Sequence, residues 1–265
     1  MMNKYQFRRT LNRFLRGRLL KIIGLIKRNQ TDVVSGSKVT YDPFTDIGDI
    51  LFFNGQFEEN ELLLCKKYIR EDSIILDIGA NIGLHSLYFS ELAHSGVVVS
   101  FEPSLLTFEL LVRNLNGRSN VSPINVAISD VGGLLDFFQA SDNAYSSLVD
   151  TKRKSIVNVS KVPCMKIDDV VDALKLHSVD FVKIDVEGLE RNVLVGMEQV
   201  IATHNPVIFC EIYQGTASNL SPDETVKFLL DRQYNAYVMH DGKLIEYKKH
   251  EDEFYNYLFL PVGCV

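Results

Sequence analysis

The sequence predicts an α/β fold in which a mostly parallel sheet carries helices on both faces. From residue 74 onward, short apolar segments alternate with helix-like segments, which is typical of a parallel sheet with crossover helices. A glycine-containing turn joins the first strand to the first helix. The 265 residues are 46% hydrophobic and 23% charged, which is close to the globular average and excludes a disordered, collagen-like or coiled-coil chain.

The predicted strands and helices follow one another from residue 74 to residue 232. The strands are 74–78, 97–101, 121–128, 180–184 and 206–212, and the helices are 83–93, 104–116, 189–204 and 222–232. The strands are short and apolar, as expected where both faces of a sheet are buried. Three further strand-like segments end the sequence, at 234–239, 243–247 and 257–260.

The interval from 132 to 166 interrupts this alternation. The sequences LLDFFQ and IVNVSKVPCM alternate apolar and polar residues, which predicts two antiparallel strands beside the main sheet. A polar segment, 140–155, joins them. Because loops of this kind often carry functional contacts, we expect this segment to take part in substrate choice.

Three regions are predicted along the chain: a basic amphipathic helical arm (1–29), a lead-in segment with a helix (30–72) and the α/β domain (73–265). In the arm, apolar residues recur at helical spacing. We expect the arm to pack on its own domain or on a partner, and contact with an anionic membrane surface is the alternative. Residues 30–57 are interpreted as loops with a short hairpin, and 58–70 as a helix.

The charge distribution argues against a nucleic-acid partner. The formal net charge is −6, but residues 1–28 hold nine basic residues and no acid, and the rest of the chain has 19 bases against 34 acids, a net charge of −15. A long nucleic acid requires a basic surface.

No membrane-spanning segment or secretory signal is predicted. Scattered cysteines without a C-x-x-C pair indicate a reducing compartment, so we expect a cytoplasmic protein, at the membrane surface if the arm binds lipid.

The strongest local signal is ILDIGANIG at residues 75–83, a strand that leads through a glycine turn into a helix. Gly79 permits the tight turn, and Gly83 permits close approach of a helix or a ligand. Glu102 ends the next strand, where an acid can accept hydrogen bonds from a ribose diol. Asp77 stands where dinucleotide-binding motifs have glycine, and its carboxylate would repel a pyrophosphate. These acids therefore favour S-adenosylmethionine, which has an ammonium group and no phosphate, over NAD.

Further candidate residues lie at the ends of the later strands. At the third strand, Ala127 and Asp130 are candidates to border an adenine. At the fourth and fifth strands, Asp185, Glu187 and Glu211 would meet the acid of the first strand if the strand order reverses there. Clustered carboxylates act as general bases or hold a hard cation such as Mg²⁺, for which Asp185 and Glu187 are the candidate ligands. Separate, solvated acids are the alternative.

The motifs resemble the FkbM family of S-adenosylmethionine-dependent methyltransferases. The resemblance rests on DIGANIG, FEP, RNL, KIDVEGLE and PVIFCEIY, which agree in order and spacing from about residue 74 to 213, and on the late YLFLP segment. It implies a class I methyltransferase (Rossmann-like) fold with a seven-stranded sheet whose last strand is antiparallel. It also implies methyl transfer to a hydroxyl oxygen of a sugar, a glycan or another small molecule. The cofactor site would be lined by Asp77, Gly79, Asn81, Gly83 and Glu102.

The same resemblance implies that Asp185 lies near the transferred methyl group. The protein must hold a hydroxyl in line with that group and remove its proton. In order of preference, the candidate bases are Asp185, Glu187, Glu211 and His85. His85 lies just after the glycine turn, and an ordinary helix residue is the favoured interpretation for a lone histidine there.

Two functions of other classes stay open at this point. One is a non-catalytic nucleotide-binding scaffold of the same fold, and the intact set of acids argues against it. The other is an NAD-dependent oxidoreductase, against which the carboxylate of Asp77 argues. The sequence carries no signal for an oligomeric state.

Overall fold

The computed structural model describes residues 29–213, 222–240, 243–251 and 253–263, which form two compact units. The smaller unit ends at Phe57 and the larger begins at Glu58. The predicted basic arm, apart from its last residue, lies outside the described residues, so its amphipathic helix stays a prediction. Within the described ranges, no helix combines the length and the apolar character needed to cross a bilayer.

The smaller unit consists of a hairpin followed by a helix. Its elements are the antiparallel strands β1 (Gln30–Val34) and β2 (Ser37–Tyr41) and helix α1 (Asp46–Asn54). The hairpin turns through Ser35 and Gly36, which both have positive φ (49° and 89°) and match the twist of the strands. The predicted hairpin is thus confirmed. Helix α1 is missing from the sequence interpretation, although Thr45 caps it by accepting a 3.0 Å hydrogen bond from the N–H of Gly48.

The larger unit contains the predicted alternation of strands and helices. Its strands are β3 (Ile74–Ile78), β4 (Val97–Phe101), β5 (Val121–Ile124), β6 (Ala127–Ile128), β7 (Gly133–Ala140), β8 (Ile156–Met165), β9 (Phe181–Ile184), β10 (Val207–Glu211), β11 (Tyr234–His240), β12 (Lys243–Glu246) and β13 (Asn256–Pro261). Its helices are α2 (Glu59–Cys65), α3 (Leu84–Leu92), α4 (Leu105–Asn114), α5 (Ile167–Leu174), α6 (Glu190–Val195), α7 (Glu198–His204) and α8 (Pro222–Leu230).

Eight strands form the central sheet in the order β12-β11-β13-β10-β9-β3-β4-β5. The five strands from β10 to β5 in this order are parallel, and β13 runs antiparallel between β10 and β11. The predicted fold class, including its antiparallel last strand, is confirmed. The sheet has one strand more than the seven expected, because β12 pairs with the edge of β11.

The strands bury apolar residues on both faces of the sheet. Leu76 of β3 packs in a core that includes Val193 of α6, whereas its neighbour Ile75 packs in a second core that includes Phe89 of α3. Successive residues of a strand point to opposite faces, so helices on both sides are required to cover them. The same alternation decides which face each polar residue at a strand end can reach.

The part of the chain between β5 and α5 forms a separate three-stranded sheet. Strands β7 and β8 pair antiparallel, as predicted for the interval 132–166, and the short β6 joins β8 in parallel. The connection between β7 and β8 contains a short 3₁₀ helix, Asn143–Tyr145. This connection is the polar segment that the sequence assigns to substrate choice.

The predicted third strand, 121–128, is wrong as a single element. Strand β5 ends at Ile124, and the chain turns at Asn125, whose side-chain amide donates to the carbonyl oxygens of Glu102 and Pro103 at 2.8 and 3.1 Å. The two residues of β6 then join the other sheet. The chain is therefore redirected by a side-chain contact that apolar periodicity does not reveal.

The predicted helix 189–204 is divided into α6 and α7. The break includes Gly196, where a Cβ atom would lie 2.2 Å from the carbonyl oxygen of Ser129. This close approach of two backbones requires glycine. Helix α5 is a further element that the sequence interpretation missed, since its residues follow β8 without a turn signal.

Candidate active site

A cleft of about 590 Å³, counting its open mouth, lies at the carboxyl ends of β3, β4 and β9. The strand order reverses between β3 and β9, and ligands of open α/β sheets bind at such a point. The predicted site residues that line the cleft are Gly79, Asn81, Glu102, Ala127, Asp185 and Glu187.

The turn after β3 brings the ends of three strands together. Gly79 has a φ of 79°, and a Cβ atom there would lie 1.8 Å from the carbonyl oxygen of Asp185, so only glycine fits. The N–H groups of Gly79 and Ala80 donate to the carbonyl oxygen of Phe101 at 3.0 and 2.9 Å. The N–H of Asp185 donates to the carbonyl oxygen of Ile78 at 3.0 Å. The backbone therefore fixes Asp185 relative to β3 and β4.

Glu102 forms part of the cleft wall at the end of β4 and is only 7% exposed. Its carboxylate accepts hydrogen bonds from the N–H groups of Asn81 at 3.1 Å and Ser104 at 2.8 Å. Burial raises the pKa of Glu102 to about 7, although these two hydrogen bonds act in the opposite direction. Each carboxylate oxygen keeps a further lone pair, so the group can still accept hydrogen bonds from a diol.

Asp77 does not line the cleft. Its side chain is fully buried and accepts a 2.5 Å hydrogen bond from the hydroxyl of Ser86 in α3, while its Oδ1 has no hydrogen-bond partner among the described residues. Burial raises the pKa of Asp77. Because residues alternate along β3, Asp77 points to the face opposite the cleft-lining Ile78. Its predicted contact with a ligand ammonium group stays a prediction that this geometry does not support.

Gly83 and Asp130 also lie outside the cleft lining. A Cβ atom on Gly83 would lie 2.7 Å from Cδ1 of Leu111, so this glycine lets α3 pack against α4. The carboxylate of Asp130 accepts hydrogen bonds from the side chains of Ser129 and Asn192, both at 3.0 Å. Burial would raise the pKa of Asp130, but these hydrogen bonds outweigh it and the pKa is lowered. The structure thus gives both residues local packing partners.

Lys183 of β9 belongs to the site, although the sequence interpretation gave it no role. Its ammonium group is buried and donates to Oδ2 of Asp185 at 3.0 Å. Burial alone would lower the pKa of Lys183, but Asp185, then Asp77, Glu58 and Glu211, raise it. Lys183 is thus the positive centre of these four acids, which we call the carboxylate cluster. A lysine within the apolar strand FVKI is the signal that could have revealed it.

His85 lies next to Glu58, behind the cleft wall. Its Nε2 is 3.4 Å from Oε2 of Glu58, and its ring packs 5.7 Å from that of Phe89. Burial, assisted by the charge of Lys183, lowers the pKa of His85. Burial also raises the pKa of Glu58 to about 8. His85 does not line the cleft, so the structure does not bring this fourth candidate base to the reacting position.

Glu187 lines the cleft and forms an ion pair with Arg153. Burial, together with the negative charge of Asp185, raises the pKa of Glu187 to about 8, and Arg153 partly counteracts this rise. Arg153 belongs to the polar segment 140–155. Other residues of that segment line the cleft: Asn143, Ala144, Ser146, Ser147 and Leu148. The segment expected to influence substrate choice therefore borders the cleft.

Glu211 ends β10 and accepts a hydrogen bond from the hydroxyl of Tyr213. Burial, followed by the charges of Asp185 and Glu58, raises the pKa of Glu211 well above its usual value. Glu211 is not among the cleft-lining residues. It belongs to the carboxylate cluster rather than to the surface that a ligand would touch.

The two predicted magnesium ligands already have cationic partners. Asp185 accepts from Lys183, and Glu187 pairs with Arg153. Across the described ranges, no group of three or more His, Cys, Asp or Glu side chains is arranged to hold a metal ion. Residues paired in this way do not fit Mg²⁺, which therefore stays a prediction from sequence.

A family model described as "Methyltransferase FkbM domain" matches residues 77–236, more than half of the chain. The hexuronic acid methyltransferase AglP of Haloferax volcanii is 28% identical over 218 residues, which cover 81% of this chain and 85% of that protein. The 2-O-methyltransferase NoeI of Sinorhizobium fredii is 26% identical over 165 residues, covering 55% of this chain and 68% of its own length.

Solved structures align with this chain at low sequence identity. The crystal structure of M. jannaschii TYW2 in complex with AdoMet aligns with a TM-score of 0.49 and 13% identity, over 88% of this chain and 85% of that one. A methyltransferase FkbM from Methylobacillus flagellatus aligns with a TM-score of 0.48 and 17% identity, over 72% of this chain and 44% of that one.

Proposed function

The chain belongs to the FkbM family of methyltransferases, and on this premise we propose that it transfers a methyl group from S-adenosylmethionine to a hydroxyl oxygen of a sugar, a glycan or another small molecule. The observation that carries the proposal is Glu102, a carboxylate fixed by two backbone N–H groups in the wall of the cleft. An acid at the end of the second strand of such a sheet, here β4, accepts hydrogen bonds from a ribose diol.

The other residues of the cleft also fit this donor. Phe101, Val126 and Ile128 offer an apolar wall for an adenine next to Ala127. The lining includes carboxylates but, among the described residues, no lysine, arginine or histidine. A pyrophosphate would therefore find no cationic side chain in the lining to bind it, which favours S-adenosylmethionine over NAD. When bound, S-adenosylmethionine would supply a methyl group already activated by its sulfonium.

Asp185 is the base that we propose for the acceptor hydroxyl. Lys183 holds its Oδ2, its side chain is 28% exposed, and its Oδ1 has no partner among the described residues. A carboxylate with one oxygen anchored and the other available can orient a hydroxyl and accept its proton. Glu187 is the second candidate, but its pKa of about 8 keeps it largely protonated at neutral pH.

The names of two relatives support the proposed class of acceptor. One relative is named for a hexuronic acid and another for a 2-O position, and both names fit transfer to a sugar hydroxyl. We propose the cytoplasm as the place of action, since Cys65, Cys164 and Cys210 are buried and unpaired, as is usual in a reducing compartment. Whether residues 1–28 contact a membrane or pack on the protein stays a prediction.

A labelled-methyl assay tests this function. The full chain is incubated with S-adenosylmethionine carrying a labelled methyl group and a panel of sugars, glycolipids and glycans, with and without Mg²⁺. We expect label in at least one hydroxyl-bearing acceptor, and Asp185→Asn should lower turnover by about 10²–10⁴-fold. The matched control is Asp136→Asn, an exposed aspartate that is also paired with a lysine, Lys161. Full turnover by Asp185→Asn would reject the role of the base.

A further inference from the structure

Arg153, whose partner Glu187 lines the cleft, is held between two aromatic rings. Its Cζ lies 4.5 Å from the ring centroid of Tyr145 and 4.4 Å from that of Tyr213. Tyr213 in turn stacks on Tyr255, with centroids 5.7 Å apart and planes within 6°. Arginine stacks well on aromatic rings, and these contacts restrict the plane of its guanidinium group.

The edge of this guanidinium group is only partly used. Nη1 donates to Oε2 of Glu187, and no other hydrogen bond of the Arg153 side chain occurs among the described residues. The side chain is 30% exposed. A planar guanidinium group with unused N–H groups and a fixed orientation is suited to a carboxylate, which it can bind through two parallel hydrogen bonds.

The position of Arg153 associates it with the acceptor rather than the donor. Its partner Glu187 lines the cleft, and Ser146, next to Tyr145, lines it as well. Glu102, which we assign to the ribose of the donor, belongs to the end of β4 instead. A group bound by Arg153 would therefore enter from the side that the β7–β8 connection forms.

Nearby acids do not cancel the charge of Arg153 at neutral pH. Burial raises the pKa of Glu187 to about 8, so this partner of Arg153 carries only part of a negative charge at neutral pH. Asp185 is already compensated by Lys183. A ligand with a negative charge would therefore be attracted to Arg153.

We propose that Arg153 binds the carboxylate of an acidic sugar, so that the acceptor is a uronic acid or a glycan that contains one. The proposal rests on the proposed function and narrows its acceptor class. Arg153 holds the carboxylate with its free N–H groups, and Tyr145 and Tyr213 keep the guanidinium group in place. The sugar is thereby oriented with its hydroxyl groups toward Asp185.

Titration of the full chain with four sugars tests the proposal. The probes are D-glucuronic acid, D-glucuronamide, D-glucose and D-glucose 6-phosphate, and binding is followed by NMR at pH 7. We expect glucuronic acid to bind about tenfold or more tightly than its neutral amide, since hydrogen bonds to charged groups are the stronger ones. Arg153→Met should abolish this preference, and Arg153→Lys should reduce it.

Arg232→Met is the matched control. Arg232 likewise stacks on an aromatic ring, with its Cζ 3.6 Å from the centroid of Phe228, and pairs with a glutamate, Glu198. Neither Arg232 nor its partner Glu198 lines the cleft, whereas Glu187, the partner of Arg153, does, so the loss of Arg232 should leave the preference for glucuronic acid intact. The proposal is overturned if no sugar binds, if the amide binds equally well, if Arg153→Met keeps the preference, or if glucose 6-phosphate binds most tightly.

A parallel titration with S-adenosylmethionine separates this proposal from the proposed function. Arg153→Met should bind S-adenosylmethionine like the unchanged chain, which also shows that the variant is folded. If the unchanged chain prefers glucuronic acid through Arg153 but does not bind S-adenosylmethionine, the methyl donor is wrong and the sugar site stands. If it binds S-adenosylmethionine but shows no preference for the carboxylate, the methyl donor stands and the sugar site is wrong.

Discussion

Two backbone N–H groups hold the carboxylate of Glu102 in the position from which we propose that it binds the ribose of the donor. Glu102→Gln removes the charge and turns one of the two accepting oxygens into an NH₂ donor that faces a backbone N–H group, so donor binding should be weakened. We expect Glu102→Gln to lower the affinity for S-adenosylmethionine about tenfold or more, measured by calorimetry at pH 8. Glu109→Gln, which changes an exposed glutamate of α4, is the control.

The pKa of Glu102 adds a pH dependence to this prediction. Since burial raises it to about 7, the carboxylate is protonated below that pH and ionised above it. The ionised form accepts more hydrogen bonds from a diol, so donor affinity should rise as the pH increases through 7. Glu102→Gln should lose this dependence. An equal affinity of both proteins at pH 8 would remove the ribose assignment.

Lys183 compensates the charge of more than one acid, so its loss should destabilise the folded protein. Lys183→Met replaces the buried ammonium group by an apolar side chain of similar length and leaves the carboxylate cluster without its cation. Breaking a buried ion pair by removal of one partner destabilises a protein by about 3–5 kcal/mol. We expect a decrease of this size in the free energy of unfolding, measured in urea.

The control for this variant is Lys161→Met, which removes an exposed lysine paired with Asp136. Surface substitutions of this kind change stability by about 0.5 kcal/mol or less. Equal urea midpoints for the two variants would show that the carboxylate cluster does not depend on Lys183.

The turn after β3 offers a test at the level of a structural element. Gly79→Ala adds a Cβ atom 1.8 Å from the carbonyl oxygen of Asp185, and its φ is 79°. Gly117 has a similar φ of 88° but nothing within 4 Å of an added Cβ atom. Gly117→Ala should therefore cost only the left-handed conformation, about 1–2 kcal/mol.

Gly79→Ala should cost more, about 3 kcal/mol or above, because the backbone of Asp185 must also move. Thermal unfolding of the two variants side by side measures the difference. S-adenosylmethionine binding should be weakened in Gly79→Ala and retained in Gly117→Ala. Two equal melting temperatures would mean that the strand ends are not held as closely as the structure indicates.

The elements of the fold follow from local sequence to a large degree. The apolar runs that become β3, β4, β9 and β10 alternate with helical periodicity, and these local patterns predict the elements in their order along the chain. The division of 121–128 was not predictable in the same way. It depends on the contact of Asn125 with the backbone of Glu102 and Pro103, which lie more than twenty residues earlier.

The sequence predicted the candidate site only in part, because some of its features depend on contacts between distant segments. Gly79, Asn81 and Glu102 belong to a local motif, and all three line the cleft. The orientation of Asp77 depends on its place in the alternation of β3, which reasoning from strand ends ignores. The pair formed by Arg153 and Glu187 joins segments 34 residues apart, so no local pattern reveals it.

At the level of the whole molecule, several buried glutamates predict an unusual dependence of stability on pH. Burial raises the pKa of Glu58 and Glu187 to about 8 and that of Glu102 and Glu190 to about 7, from a usual value of 4.5. Between pH 4.5 and 8 the folded chain therefore binds more protons than the unfolded chain. The free energy of unfolding should fall as the pH rises through this range.

His85 acts in the opposite direction, since its lowered pKa adds stability as the pH rises toward 6.5, but it is one group against four. Urea unfolding of the ligand-free chain at pH 5, 6.5 and 8 measures the combined contribution of these groups to the free energy of unfolding. We expect the highest urea midpoint at pH 5 and the lowest at pH 8, and Glu190→Gln should flatten the trend. A midpoint that increases from pH 5 to pH 8 would contradict the assignment of these burial effects.

The cleft has walls of different origin: one consists of the ends of the central strands, and the other is the connection between β7 and β8. The ends of that connection already face each other, because Ala140 pairs with Ile156, and the hydroxyl of Ser147 ties it to the carbonyl oxygen of Val186 at 3.0 Å. Because its ends are held close together, the whole segment could be replaced by the corresponding segment of a related chain. We expect such transplants to change the acceptor while the donor site stays the same.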